Sequence, residues 1–567
     1  MATANIHNMV GKLKPRRNAF DLSYRTNLTC KMGQLIPVMC DEVVPGDHFK
    51  IGNELIVRLQ PLAAPLMHEI YAHVHYFFVP YRLLWDGWED FITTGLTAQG
   101  QPSMPIPRVD PEDLGRYAGR GSIWDYLGLP VVAHDAVDMV TGSEASVSTP
   151  IIFPWRAYNF IWNEYYRDEN LQQELGPDHE DLYRTWDQPN ILNRAWKKDY
   201  FTSALPFQQK GLAPALPVNV NMAWNQLTNP IQFVQDIRFI SGDGSMGGTF
   251  GISDGSPISA GGGSYSGRMV NDAGFNASNA GDRAGIDVNS LGYKMIYGLS
   301  PSTATFGVSE LRLATQTQKW LERNARAGTR YTSFLQAHFS VSPTDARLDR
   351  PEYIGGSKMP VMVTEVVQTS ETNNETQNPL GQFAGHGLGA DSQFCGSYSV
   401  QEYGLIMGIM SIMPKPAYQD GINRQWLRRT PLDFYFPEFA HLSEQAIQKV
   451  ELYWGNGYYD DTETFGYTGQ YDEMRIKHDI VCNDMRKYQP GVNNGGLAPN
   501  NLALSYWNMA RRFTAPPELN TEFITCDPDP DIFTVEDIAH VIVNCYNRIK
   551  AVRPMPVIAE PGLVDHF

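Results

Sequence analysis

The chain has 567 residues, of which 42% are hydrophobic, and it contains 28 Tyr, 26 Phe and 12 Trp. This apolar content is ample for a large buried core and excludes an intrinsically disordered protein. The net charge of −17 argues against a protein that binds nucleic acid over its whole surface, because phosphate binding needs Lys and Arg.

Length and composition also limit the architecture. The length corresponds to roughly three to four ordinary domains, or to one β architecture with long insertions. The 49 Gly and 38 Pro favour short strands and many turns over long helices.

The cysteines and the apolar runs favour a protein that folds in a cytoplasm. The six cysteines include no Cys-x-x-Cys pair, so we expect reduced thiols in or near the core and no metal site. The N-terminus shows no apolar signal region, and the longest nearly apolar run, Leu405 to Met413, is too short to span a bilayer. We therefore expect folding in a cytoplasm and no membrane insertion.

A basic cluster lies near the start of the chain. Its members are Lys12, Lys14, Arg16 and Arg17. The cluster is either a solvated terminus or an arm that contacts a polyanion.

Residues 35–80 have the pattern of a sheet. Residues 54–59 and 70–79 are rich in β-branched and aromatic side chains, and Pro45 and Gly46 mark a turn. In the second run Ile70 and its alternate neighbours share one face while Tyr71, His73, His75 and Phe77 share the other. Both faces of this strand should be at least partly covered.

Residues 81–200 no longer show the strand-like pattern. The segments 85–88, 123–130 and 157–169 predict short helices among loops. Residues 201–240 return to a mixed pattern.

A glycine-rich segment follows, from Ser241 to Ser300. It holds 15 of the 49 glycines and no Trp or Cys. Such a segment lacks the apolar side chains that would offset its ordering entropy inside a core. It therefore predicts an excursion onto the surface.

The C-terminal half begins with the clearest helix of the chain. Residues 309–328 start at a capping Ser309 and end at Gly328. The remainder predicts strands at 361–367, 403–413, 476–481 and 540–549, separated by Gly, Pro and Asn clusters.

Two glycine motifs match the residue spacing of a dinucleotide-binding motif and of a nucleophile elbow, but not the secondary structure that those motifs require. Gly242, Gly244 and Gly247 have the dinucleotide-binding spacing, but no helical pattern follows them. Ser253 lies between Gly251 and Gly255 with the nucleophile-elbow spacing, without a strand and helix around it. We interpret both as chance matches.

Other polar groups have a chemical and a structural interpretation. His73 and His75, with His48 and His68, could chelate a metal, and Glu164 with Asp168 could act as an acid and base pair. Packing of the histidines and a salt-bridged helix face are the favoured interpretations.

The acidic turn holding Asp527, Asp529 and Asp531 could offer oxygen ligands to calcium. It lacks the glycine turn and distal Glu of a calcium loop, so an exposed turn is favoured.

Aromatic residues near arginines could stack unpaired bases beside a phosphate contact. The candidates are Tyr24 with Arg25, Trp426 with Arg428 and Arg429, and Trp507 with Arg511 and Arg512. Core aromatics with paired arginines are the favoured interpretation at each site.

Several strings together resemble the major capsid protein family of the small single-stranded DNA phages, the Microviridae, and most closely its gokushovirus branch. In chain order they are Phe20-Asp-Leu-Ser, Val44-Pro-Gly-Asp47, His75-Tyr-Phe-Phe-Val-Pro80, Ile123-Trp-Asp-Tyr-Leu-Gly-Leu-Pro130, Arg156-Ala-Tyr-Asn159, Trp162-Asn-Glu164, Arg167-Asp-Glu-Asn170, Asp345-Ala-Arg-Leu-Asp-Arg-Pro-Glu-Tyr-Ile-Gly-Gly356, Arg553-Pro-Met-Pro556 and Pro561-Gly-Leu-Val-Asp565. The likeness covers nearly the whole chain outside 241–300.

The resemblance implies a mainly β fold, an eight-stranded antiparallel jelly roll with long, partly helical loop insertions. It divides the chain into an N-terminal interior arm (1–34), a first part of the jelly roll (35–240) with the excursion 81–200, a surface insertion at the threefold axes (241–300) and a second part of the jelly roll (301–567).

The resemblance also implies a function. Copies of the chain would assemble in the bacterial cytoplasm into a T=1 icosahedral virion shell around a circular single-stranded DNA genome, with a small basic DNA-binding protein inside. No catalytic residue, metal or cofactor is expected. Contacts with DNA would be restricted to a few inner residues, for which Lys12, Lys14, Arg16 and Arg17 are the candidates.

Attachment to a bacterial cell-surface receptor would fall to the insertion, where Tyr265, Arg268 and Phe275 are the side chains able to anchor a partner. The alternative from another class is a β-sandwich carbohydrate-active enzyme or lectin, since Trp, Tyr and paired carboxylates suit sugar binding.

Overall fold

A computed structural model gives the fold of the protein. It describes residues 16–94, 104–109, 118–131, 150–175, 191–214, 238–240, 246–249, 285–286, 308–328, 330–367, 383–442, 444–454, 463–486, 504–534 and 539–558. The chain divides into two compact units, Met1–Gly211 with Leu321–Phe567, and Leu212–Trp320.

The described residues form fourteen strands and seven α-helices. The strands are β1 (Asn18–Asp21), β2 (Tyr24–Cys30), β3 (Ile36–Val43), β4 (His48–Leu59), β5 (Ile70–Pro80), β6 (Arg238–Ile240), β7 (Met246–Thr249), β8 (Gly285–Ile286), β9 (Glu352–Val367), β10 (Phe383–Ser399), β11 (Gly404–Pro414), β12 (Glu444–Gln448), β13 (Thr464–Gly469) and β14 (Val541–Arg553). The helices are α1 (Trp88–Thr94), α2 (Ile123–Tyr126), α3 (Phe153–Ile161), α4 (Val308–Ala327), α5 (Tyr331–Phe339), α6 (Asp472–Arg475) and α7 (Thr521–Ile524).

The first unit is an antiparallel jelly roll, as predicted. One sheet, which we call sheet I, has the order β2-β14-β4-β10, and the other, sheet II, has the order β9-β5-β11-β3. The two are joined because β9 and β10 also pair, Leu388 lying opposite Met362. The short β1 adds a ninth strand along the edge of β14 that β2 also occupies.

A hydrophobic core fills the space between the two sheets. β14 alternates buried and more exposed residues along its length, as a strand with one covered face requires. Val543 and Ile549 of β14 contribute to this core from sheet I, and Val74 and Ile406 contribute from sheet II. The period-two pattern of the sequence therefore predicts which residues the sheets bury.

A second core covers the outer face of sheet II. Every residue of β11 is buried, and Met407 and Ile409 pack against aromatic side chains of the 81–200 excursion, including Trp155 and Tyr158 on α3. Helices form within the predicted segments 123–130 and 157–169, and α3 continues into a π-helical turn, Trp162–Tyr166. Residues 85–87 form no helix, because α1 begins only at Trp88. A strand that is buried on both faces has a continuous apolar sequence, which explains why the run from Leu405 to Met413 is nearly apolar.

One predicted strand is absent. Residues 476–481 do not form a strand, because only Ile480 makes a bridge, to Tyr418. Within the N-terminal arm that the resemblance implies, β1 and β2 pair with β14.

The helix predicted at 309–328 is present as α4, Val308–Ala327, and Gly328 follows it with a φ of +88°. That left-handed conformation is common after a helix end and favours glycine.

The second unit contains a three-stranded sheet of order β7-β6-β8. The unit spans 212–320 and so extends beyond the predicted insertion 241–300 on both sides. Gly247 lies inside β7, so no helix begins there, and the dinucleotide-type spacing is a chance match, as predicted.

Candidate nucleic-acid interface

Two of the four predicted DNA-facing residues are described. Arg16 and Arg17 are exposed and directly precede β1, at the edge of sheet I. Lys12 and Lys14 lie outside the described residues, as do Tyr265, Arg268 and Phe275, the residues predicted to contact a host.

The outer face of sheet I carries a cluster of cations, which we call the basic face. Its cations are Arg25 on β2, Lys50 and Arg58 on β4, and Arg548 and Lys550 on β14. The strand register places them side by side, since Lys550 lies opposite Lys50 and Arg25 lies opposite Tyr546.

The basic face has a local excess of positive charge. Its five cations are accompanied by two carboxylates on the same strand faces, Glu54 and Asp21, which leaves a net charge of +3 from five minus two. Glu54 lies 3.6 Å from Arg548. This excess stands out in a chain whose net charge is −17, and it can attract an anionic polymer.

A groove runs along the basic face, with a volume of about 1450 Å³. The floor is formed by β2, β14 and β4, and one wall is the 120–131 loop with α2. The polar and aromatic lining includes Arg25, Arg58, Arg120, Asn27, Asn544, Tyr126 and Tyr546, together with two carboxylates, Glu54 and Asp125.

Local contacts hold the walls of this groove. Ser122 caps α2 by accepting from the Asp125 amide at 3.3 Å, and the Tyr126 hydroxyl donates to the Thr29 carbonyl at 2.7 Å. The Arg25 guanidinium lies 5.2 Å from the centre of the Tyr546 ring. Aromatic rings beside cations are the elements with which proteins hold single-stranded nucleic acid.

Tyr24 is a core aromatic, as the favoured interpretation holds, and Arg25 contacts another aromatic ring. The ring beside Arg25 is that of Tyr546 on the neighbouring strand, whereas Tyr24 packs against the core. The side chains of adjacent residues in a strand point to opposite faces, so the ring of Tyr24 could not lie beside the Arg25 guanidinium.

The arginines near Trp507 follow the structural interpretation, whereas Trp426 is 76% exposed and is therefore not a core aromatic. The Arg511 guanidinium lies 4.2 Å from the Phe523 ring centre and 5.3 Å from that of Trp196. Arg512 pairs with Asp529 and Asp531, each at 2.9 Å, so the acidic turn neutralises an arginine.

The histidine pair packs as neutral side chains. His75 Nδ1 lies 2.8 Å from the Tyr166 hydroxyl. Burial, helped by Arg194, lowers the pKa of His73 to about 3 and that of His75 to about 4. Within the described ranges no group of three or more His, Cys, Asp or Glu side chains could hold a metal ion.

The remaining histidines also have structural partners. His48 pairs with the Ser399 hydroxyl at 2.9 Å, and His68 Nε2 lies 2.6 Å from the Lys415 carbonyl oxygen.

The two carboxylates that could act as an acid and base pair contact different cations. Asp168 forms an ion pair with Lys198, and Glu164 lies 4.0 Å from Arg350. The salt-bridged surface is therefore the interpretation that the contacts support.

All six cysteines are free, and burial raises the pKa of Cys30 and Cys545 to about 12. In the part of the chain that the structure describes, no helix is long and apolar enough to cross a membrane.

The groove was missed by sequence reasoning, although part of its signal is present. Lys50, Glu54 and Arg58 recur at even spacing along β4, as Tyr546, Arg548 and Lys550 do along β14. The alternation places each set on one face, but only the pairing of strands almost 500 positions apart joins the two sets.

Comparisons with known proteins agree on one family. Residues 9–563 match the model of the family described as "Capsid protein (F protein)". Capsid protein VP1 of Chlamydia phage 1 is 31% identical over 97% of this chain and 96% of its own length. Capsid protein VP1 of Bdellovibrio phage phiMH2K is also 31% identical, with the same coverage, and that of Spiroplasma virus 4 is 27% identical over 96% of this chain and 95% of its own.

Proposed function

The chain belongs to the phage capsid protein (F protein) family, and on that basis we propose that its copies form a T=1 icosahedral shell around a circular single-stranded DNA genome. The family and these relatives are structural proteins of the virion, not enzymes, so the alternative of a carbohydrate-active enzyme is set aside. Assembly takes place in the host bacterial cytoplasm.

The observation that supports DNA enclosure is the basic face. In the shell the basic face lies toward the genome, with Arg16 and Arg17 at its edge. The groove lined by Tyr546 is then open to unpaired bases. Lys12 and Lys14 belong to the same proposed contact. The net negative charge of each subunit leaves most of the genome's phosphates to a small basic DNA-binding protein inside the shell.

Neutralising the basic face tests this proposal. In the triple variant Arg25→Gln, Lys50→Gln, Lys550→Gln, single-stranded oligonucleotide binding by the full-length subunit should weaken. The magnitude of the slope of log K against log salt should decrease by about 2, because three phosphate contacts are lost and each contributes about 0.7.

The matched control is the triple variant Arg347→Gln, Lys358→Gln, Lys477→Gln, which removes the same charge from exposed positions outside the basic face. It should retain the wild-type slope. Equal slopes in all three proteins would contradict a DNA contact at the basic face.

We further propose that the insertion 241–300, with Tyr265, Arg268 and Phe275, attaches the particle to a bacterial surface receptor. Support comes from its glycine-rich composition, which suits an outward excursion. Deleting residues 251–284 should leave particles intact in electron micrographs and reduce adsorption to host cells. Loss of particles, or unchanged adsorption, would contradict this division of labour.

A further inference from the structure

A run of exposed apolar side chains lies between β11 and β12. We call residues 423–442 the aromatic segment. Its large exposed side chains are Trp426 (76% exposed), Leu432 (66%), Leu442 (55%), Phe434 (52%), Tyr435 (49%) and Phe436 (41%). Soluble monomers seldom present so many large apolar side chains together, and such patches mark interaction sites.

The aromatic segment is held by buried carboxylates. Arg424 pairs with Glu451 at 3.1 Å and donates to the Ala446 carbonyl at 2.6 Å. Arg428 lies 3.6 Å from Glu473, and the side chains of Glu451 and Glu473 are 2% and 7% exposed. The segment is therefore anchored to β12 and α6 and is not a loose loop.

Internal contacts fix the turns that carry the aromatic rings. Asp433 accepts from the Arg429 and Thr430 amides at 2.8 and 2.7 Å, which closes the 3₁₀ turn Pro431–Asp433. The Tyr471 hydroxyl donates to the Phe434 carbonyl at 3.3 Å. Rings held in place before contact lose little further entropy when they bind.

The exposed area is sufficient for a stable contact between proteins. With about 200 Å² for a fully exposed side chain of this size, the six residues present roughly 700 Å². A standard interface buries about 800 Å² on each partner, of which a little more than half is apolar.

The local charge does not favour nucleic acid as the occupant. Arg424 and Arg428 are already paired with Glu451 and Glu473. The third arginine of the segment, Arg429, is outnumbered by two carboxylates of the segment itself, Asp433 and Glu438. Contacts between chains that each carry a charge of −17 must gain from apolar burial, because the net charges repel.

We propose that the aromatic segment is an assembly contact and that its occupant is a second copy of this chain. The proposal rests on the shell proposed above. Trp426 and Leu432, its two most exposed side chains, become buried when subunits associate.

The double variant Trp426→Ala, Leu432→Ala tests the contact. The thermal unfolding of the unassembled full-length subunit should not change, because these side chains make little contact within it. The protein concentration needed to form particles should rise at least tenfold, as sedimentation would show. Assembly at the wild-type concentration would overturn the proposal.

A matched control is Met67→Ala, Ile480→Ala, in which the two side chains are 68% and 72% exposed elsewhere on the same unit. This control should assemble as the wild type does. A loss of assembly as large as that of Trp426→Ala, Leu432→Ala would show that the effect is not specific to the aromatic segment and would overturn the proposal.

Hydroxyl-radical footprinting of the wild-type chain covers the case in which the double variant fails to fold. Trp426 should be oxidised in the subunit and protected in the particle. Equal oxidation in both forms would overturn the contact, and protection already in the subunit would show that the same chain covers the segment. Absence of wild-type particles would instead contradict the shell proposal.

Discussion

At the residue scale, the most informative titratable group is Asp41 on β3. Burial raises the pKa of its carboxyl group to about 6, and the Arg553 guanidinium and a hydrogen bond with the Tyr24 side chain act in the opposite direction. Among the described residues its buried Oδ2 atom has no hydrogen-bond partner. The charged form is therefore poorly accommodated in the folded subunit.

This pKa shift has a definite sign for stability. A carboxyl group whose folded pKa lies above its unfolded value near 3.8 stabilises the protein below about pH 4, and this contribution is lost as the pH rises through 6. Asp41→Asn should therefore increase the free energy of unfolding by about 2 kcal/mol at pH 7.5 and change it little at pH 4. Urea unfolding of the unassembled subunit at both pH values measures the difference.

Asp47→Asn is the matched control, because the Asp47 side chain is fully buried and its Oδ2 atom has partners, although its Oδ1 atom has none among the described residues. It pairs with Arg553 at 3.2 Å and accepts from the Val44 amide at 3.0 Å. Removing this charge should destabilise the subunit at pH 7.5 by about 3 kcal/mol. A destabilising Asp41→Asn at pH 7.5 would contradict the account of Asp41.

At the element scale, local pattern predicts strands well where one or both faces are buried. The alternation of β5 and the apolar run of β11 are visible in the sequence, and both strands form. Residues 476–481 carry similar residue types without a neighbouring strand, and Ile480 is 72% exposed. A strand needs a partner edge, which a local pattern does not contain.

The pairing of strands that are distant in sequence could not be predicted from local pattern. β2 pairs with β14, so Asn27 lies opposite Asn544 although more than 500 residues separate them. The resemblance implied an interior arm at residues 1–34, and the local sequence did not show that the chain already pairs with β14 at Asn18. The same long-range pairing creates the floor of the groove, because β2, β14 and β4 each contribute part of it.

At the scale of the whole molecule, composition indicated a large buried core, and the family resemblance implied a protein that works through its surfaces. The chain has an apolar core between its two sheets, a second core around β11, a basic face and the exposed aromatic segment. The family resemblance stated from short motifs is confirmed by a match over residues 9–563. The aromatic segment could not be predicted, because the sequence does not show whether an aromatic residue is buried or exposed.

The central claim is that many copies of this chain build a closed shell. Electron microscopy of the purified full-length protein tests it most directly. We predict uniform closed particles with T=1 icosahedral symmetry. A stable monomer, or only open and irregular aggregates, under conditions that preserve the folded subunit would contradict the claim.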